Sequence, residues 1–241
     1  MAAVLYFGFD DKLPEILGKF FEMRKADAGE INSLTRAADQ KKFEEALDAI
    51  TFEVVYIDQA ALNKPPIEWL SSLKKRKPNF SSPVILTGLE RDPSKIMKLI
   101  EAGFSDYHVN PPDKPLVLEK FKVYATGHRD SSLKQVYSLK MSQAADLAHP
   151  GFLEDLSEFE CHVRTSHPVP LGDMIILYAE SFSSAEGVRG SVLCRCSAAA
   201  EHPSFKGQFQ VTLYFVGPTP EVLTDIRNAL RKAYVAGKAQ S

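Results

Sequence analysis

Phe52-Glu53-Val54-Val55-Tyr56-Ile57-Asp58 is the stretch on which the fold turns. Apart from Glu53 it is an unbroken apolar run, rich in β-branched and aromatic residues, and it closes on a carboxylate. A run that is apolar on both faces suits a strand buried inside a parallel sheet. Similar units recur on either side. Val4 to Phe9 is a compact apolar run ending in Asp10-Asp11, followed by Leu13, Ile16, Leu17, Phe20 and Phe21 at helical spacing. Ile31 to Ala37 is strand-like, and Phe43, Ala46, Leu47 and Ile50 mark a second helix. Beyond Asp58, Ile67, Leu70 and Leu73 predict a third helix and Pro83 to Thr87 a fourth strand. Ile96, Met97, Ile100 and Ala102 give a fourth helix, and Tyr107 to Val109 a fifth strand. Leu116, Leu118, Phe121 and Val123 close the series with a fifth helix. Five βα units predict a doubly wound α/β sheet over residues 1–127.

In such a sheet ligands sit outside the carboxyl ends of the strands. Asp10 and Asp11 end the first apolar run, Asp58 the third, Thr87 the fourth and Asn110 the fifth, so all converge on one rim. Three carboxylates in one place repel, and Mg²⁺, which favours carboxylate and water oxygens, is the usual remedy. A carboxylate beside such a cation can accept a phosphoryl group, and a strand-end hydroxyl can bind the new oxygens. Taken singly, the same residues have simpler readings: Asp10-Asp11 as a helix cap, Thr87 as a strand end.

Together, and in this order, they resemble the receiver domain of two-component response regulators. The resemblance rests on Asp10-Asp11, the Val54–Asp58 strand, Val84-Ile85-Leu86-Thr87, and the segment from Ala102 to Pro111. It implies that Asp58 is the phosphoacceptor, that Asp10, Asp11 and Asp58 hold Mg²⁺, and that Thr87, Tyr107 and Asn110 are the switch positions. Three departures bear on that chemistry. Asn110 stands where the family has a lysine, replacing a charge-assisted hydrogen bond with a neutral one about half as strong. The first strand is offset, reading Gly8-Phe9-Asp10-Asp11. Pro65-Pro66 replaces the usual Asp-Gly. A pseudo-receiver, which keeps the fold and signals through protein contacts, is the favoured expectation.

After Gly127 the rhythm changes. Residues 128–134 read as a polar linker and 135–241 as an alternating β-rich half. Val192, Cys194 and Cys196 share one strand face, and Phe209, Val211, Leu213 and Phe215 another. Thr219-Pro220 opens a closing helix with the stripe Val222, Leu223, Ile226, Leu230 and Tyr234. With Asp155-Leu156-Ser157-Glu158-Phe159-Glu160 and Pro168 to Leu177, this half resembles the PilZ domain, a small β-barrel with a C-terminal helix that often binds cyclic di-GMP. The fold class expected for the whole chain is therefore α/β plus β. The resemblance implies ligand contacts from an Arg-x-x-x-Arg arm and an Asp/Asn-x-Ser-x-x-Gly turn. Asp155 and Ser157 fit the turn, but Glu160 takes the glycine position, and Arg129 is followed four residues later by Leu133. Missing guanidinium contacts are worth about 1.5–3 kcal/mol each, so tight cyclic di-GMP binding is not expected. Asp155 and Ser157 could equally just shape a turn.

Bulk properties narrow the classes. The chain has 241 residues, 44% hydrophobic and 25% charged, with a net charge of −2, which gives no footprint for DNA. No apolar run approaches the roughly 20 residues that span a bilayer. The N-terminus enters a strand-like run without a basic segment, so no signal peptide is expected. Three cysteines make no disulfide framework. Cys161, His162, Cys194 and Cys196 suggest zinc weakly and a barrel interior as readily. The Lys74-Lys75-Arg76-Lys77 run reads as a solvated helix end. The expectation is a cytoplasmic, non-enzymatic bacterial signalling adaptor with protein partners and no membrane insertion. The face of the fourth helix and fifth strand, a common dimer surface in receivers, would allow a homodimer. The competing expectation is a response regulator phosphorylated on Asp58 with a cyclic di-GMP-responsive output domain.

Overall fold

The computed structural model describes residues 2–28, 32–126, 139–146, 150–183 and 190–238. The expected linker at 128–134, and Arg129 with it, lie outside the described residues. The chain divides into two compact units, one built mainly on residues up to 129 and one mainly on residues from 130 onward.

The deciding stretch forms β3 (Val54–Asp58), buried at all five positions. Around it lie β1 (Ala3–Phe7), β2 (Ser33–Ala37), β4 (Val84–Gly88) and β5 (Asp106–Val109), all paired in parallel in the order β2-β1-β3-β4-β5. This is the doubly wound 2-1-3-4-5 arrangement, with its topological switch between β1 and β3. The crossovers carry α1 (Lys12–Ala28), α2 (Gln40–Ala49), α3 (Pro66–Arg76), α4 (Pro93–Glu101) and α5 (Lys114–Thr126). Local chemistry sets their ends. The Asp39 carboxylate accepts from Lys42 N at 2.8 Å and caps α2. Pro66 begins α3 at the position where a missing N–H costs nothing, and Pro78 follows its C-cap Lys77.

Each sheet face has its own core. On one, Phe7 stacks on Phe43 at 4.9 Å, and Phe43 meets Trp69 at 5.8 Å. On the other, Val4, Tyr6, Val54, Tyr56 and Ile85 pack against Leu13, Leu17, Val117 and Phe121 of α1 and α5. Burying an aromatic or aliphatic side chain of this size stabilises by about 1.5–3 kcal/mol. Two details differ from the sequence expectation. In α3 the buried positions are Trp69, Leu70 and Leu73, while Ile67 is 45% exposed; the indole, being larger, takes the inward place. In α5 the apolar pattern hides a buried Lys120.

The second unit is an antiparallel sheet of β6 (Leu139–Asp146), β7 (Pro150–Leu156), β8 (Glu160–Thr165), β9 (Met174–Ala179), β10 (Gly190–Glu201) and β11 (Phe209–Phe215). It curls into a barrel in the order β10-β11-β8-β7-β6-β9. The seam is β9 against β6, paired at Asp146↔Tyr178. Leu153, Val163, Leu177, Val192, Val211, Leu213 and Phe215 fill the interior, with all three cysteines among them. Burial pushes the Cys161 thiol well up. His162, the next residue, sits on the opposite strand face and meets Asp155 at 3.1 Å, so the two cannot share a metal. A closing helix, α6 (Pro220–Lys238), lays Val222, Ile226 and Leu230 against this core, and Leu223 is buried too. Thr219 Oγ1 accepts from Val222 N at 3.3 Å and caps it. Among the described residues no helix is long and apolar enough to cross a membrane.

Candidate functional site at the carboxyl rim of the parallel sheet

Strand register decides which side chains meet at the rim. Tyr6 pairs with Tyr56, Tyr56 with Ile85, and Ile85 with Asp106. Side chains alternate along a strand, so the next row on the same face is Gly8, Asp58, Thr87 and His108. Asp58↔Thr87 and Thr87↔His108 are direct lateral pairs. The Asn110 N–H donates to the Gly88 carbonyl at 2.7 Å, placing Asn110 at the end of that rim. The register Phe7↔Ile57 brings Gly8, the residue after the strand, opposite Asp58.

The acids thus fall differently from the expectation that Asp10 and Asp11 end the first strand. The strand stops at Phe7, and both belong to the turn into α1. Asp10 Oδ1 accepts from Lys12 N at 2.8 Å. Asp11 carries an exposed carboxylate in an ion pair with Arg36. The helix-cap alternative describes Asp10. Asp58 keeps its strand-end place but is only 5% exposed, and its Oδ1 accepts from Ala60 N at 3.0 Å.

Tyr6 occupies the space beside Asp58. It is fully buried, and its hydroxyl donates to the Asp10 carbonyl at 2.7 Å. A Cβ built on Gly8 would collide with Tyr6 Oη and come within 2.6 Å of Asp58 Cβ. Burial, then the negative charges of Asp58 and Asp10, push the phenol's pKa far up, with Arg36 opposing. The hydroxyl therefore stays protonated. Tyr107 is likewise turned inward. Its oxygen accepts from Glu90 N at 2.9 Å, burial pushes its pKa up to about 12, and a Cβ on Gly88 would lie 2.5 Å from it. Thr87 is buried between Asp58 and His108.

Mg²⁺ requires several oxygen ligands in near-octahedral order. Asp11 is turned out to Arg36, Asp10 is spent on a helix cap, and a protonated phenol fills the space next to Asp58. Among the described residues no three His, Cys, Asp or Glu side chains gather to hold a metal. As arranged, these residues do not fit the cation. Reading the sequence missed Tyr6 and Gly8; the signal was the spacing of Val4, Tyr6 and Gly8, which share a strand face.

In the barrel, Ser157 is consumed by its own turn. Its hydroxyl donates to the Glu160 carbonyl at 2.9 Å and accepts from Glu160 N at 3.0 Å and Phe159 N at 3.2 Å. Asp155 is paired with His162, Glu158 with Arg227 of α6 at 2.6 Å, and Glu160 is buried.

No protein-family model matches the chain, and no curated protein matches it. Among solved structures it is similar to the receiver domain of the Francisella response regulator 1452, at 20% identity and a TM-score of 0.42, over 53% of this chain and 98% of that one. A chemotaxis response regulator of Vibrio cholerae matches at 20% identity and a TM-score of 0.39, over 51% and 97%. The Bacillus subtilis inhibitor of motility matches at 8% identity and a TM-score of 0.36, over 44% of this chain and 51% of that one.

Proposed function

We propose that the chain is a non-enzymatic signalling adaptor. In this reading a pseudo-receiver over residues 1–127 is joined through 128–134 to a degenerate PilZ-like unit over 135–241, and both act through protein contacts in the cytoplasm. The observation that carries it is the rim itself. Asp58 is nearly buried, faces a glycine instead of an acid across β1, and has the Tyr6 phenol for a neighbour. A phosphodonor would have to reach a covered carboxylate whose neighbours are not arranged to hold a cation.

With Mg²⁺ and a small-molecule phosphodonor, the chain should take up no phosphate on Asp58 within an hour, as read by intact-protein mass. Rapid labelling that disappears in Asp58→Asn would overturn the pseudo-receiver reading in favour of a phosphorylated response regulator, for which the Asp58↔Thr87 pairing speaks.

The second unit's Asp-x-Ser turn bonds to itself, and a buried carboxyl stands where the turn motif needs glycine. Calorimetric titration with cyclic di-GMP should therefore give no heat at micromolar concentrations. A sub-micromolar isotherm would make this unit a nucleotide sensor.

A further inference from the structure

We propose that Tyr6, admitted by Gly8, is the residue that excludes divalent cations from the Asp58 pocket. The inference rests on the pseudo-receiver reading and names the device behind it. The inward Tyr6 side chain requires glycine at position 8. A Cβ there would collide with Tyr6 Oη and come within 2.6 Å of Asp58 Cβ, so position 8 offers no acid to join Asp58 in holding a cation, and the phenol fills the space beside it.

Tyr6 is held from three directions. Its ring lies in the sheet–helix core with Leu13 and Leu17. Its hydroxyl donates to the Asp10 carbonyl. The Arg36 guanidinium lies 5.9 Å from the ring centroid and is itself tied to Asp11. Asp11, paired with Arg36, is itself exposed, so the second acid of the pair is spent outside the covered space beside Asp58. The phenol does not replace a carboxylate ligand, because its proton is committed to the Asp10 carbonyl and its ring fills the space beside Asp58. Position 6 thereby decides whether Asp58 is a cation ligand or a buried hydrogen-bond acceptor for its own loop.

The test is Mn²⁺ binding to the full chain, followed by electron paramagnetic resonance of the free ion. The wild type should bind no Mn²⁺ through Asp58 below several millimolar, and Tyr6→Phe should match it, because the ring remains. Tyr6→Leu, with Gly8 kept, should bind at least tenfold more tightly, and adding Asp58→Asn should remove that gain. If Tyr6→Leu fails to give a native circular dichroism spectrum, Tyr6→Ala opens the same space. A folded Tyr6 variant with no Asp58-dependent gain overturns the role of Tyr6 and leaves the pseudo-receiver reading intact. Wild-type binding as tight as that variant's, abolished by Asp58→Asn, also overturns it. The pseudo-receiver reading itself fails only if wild-type Asp58 is phosphorylated, which is a separate measurement.

Discussion

Lys120→Met should lower the unfolding free energy of the first unit by about 3–5 kcal/mol, the usual cost of stranding one partner of a buried ion pair. Lys120 Nζ stands 2.6 Å from Asp106 Oδ1, and both side chains are fully buried. Asp106 opens β5 and also accepts from Tyr107 N at 2.7 Å, while the Tyr124 hydroxyl shares its one proton between the Ser105 carbonyl at 2.8 Å and Asp106 Oδ2 at 3.1 Å. Without the ammonium, one backbone donor and that shared hydroxyl remain for a buried carboxylate. Adding Asp106→Asn should restore most of the loss, because the amide oxygen keeps the Tyr107 N–H satisfied while the charge is gone. A double-mutant cycle isolates the coupling. Trp69 is the chain's one tryptophan and is buried in α3, so urea unfolding followed by its fluorescence reports this unit. A loss below about 1 kcal/mol would mean that water reaches Asp106 or that the helix shifts to solvate it.

That ion pair also shows where reading the sequence stops. The five βα units were legible because each buried strand is a short apolar run and each helix a 3.6-residue stripe. The strand end at Asp58 was legible for the same reason, as were the alternation in β10 and β11 and the Thr219-Pro220 helix start. What was hidden depends on register between strands. Asp10-Asp11 reads as a strand end until Phe7 is seen to pair with Ile57, which gives Gly8 the place beside Asp58. Lysine in a helix reads as solvated, and only a fold that sets Asp106 beneath α5 makes Lys120 a core residue. Tyr6 reads as one more apolar strand residue, since nothing local says that its hydroxyl reaches the rim. Polar residues in the core and side chains that cross between strands are fixed by tertiary geometry, and neither leaves a periodic trace.

His108 should make the first unit less stable as pH falls below about 6.5. It is fully buried in β5, neither ring nitrogen has a hydrogen-bond partner among the described residues, and it stacks on Tyr56 with ring centroids 6.0 Å apart. Burial, with a further push from the Lys120 charge, holds its pKa well below the ordinary imidazole value. In the unfolded chain the same ring protonates normally near 6.5. Between those two values the unfolded state binds one more proton than the folded state, so unfolding becomes easier with acid. The full stability is present above the unfolded value and falls by about 1.4 kcal/mol per pH unit below it. His108→Leu removes that proton and also removes two buried ring nitrogens that have no partner among the described residues, which should raise the baseline. Urea midpoints read through Trp69 at pH 7.5, 6.5 and 5.5 should therefore diverge, the variant gaining on the wild type only below the imidazole range. The other five histidines are common to both proteins and cancel in the difference. Parallel curves would mean that the folded imidazole takes up its proton as readily as the unfolded one. The ring would then have an acceptor or a path to water that its position between Thr87 and Tyr56 does not provide.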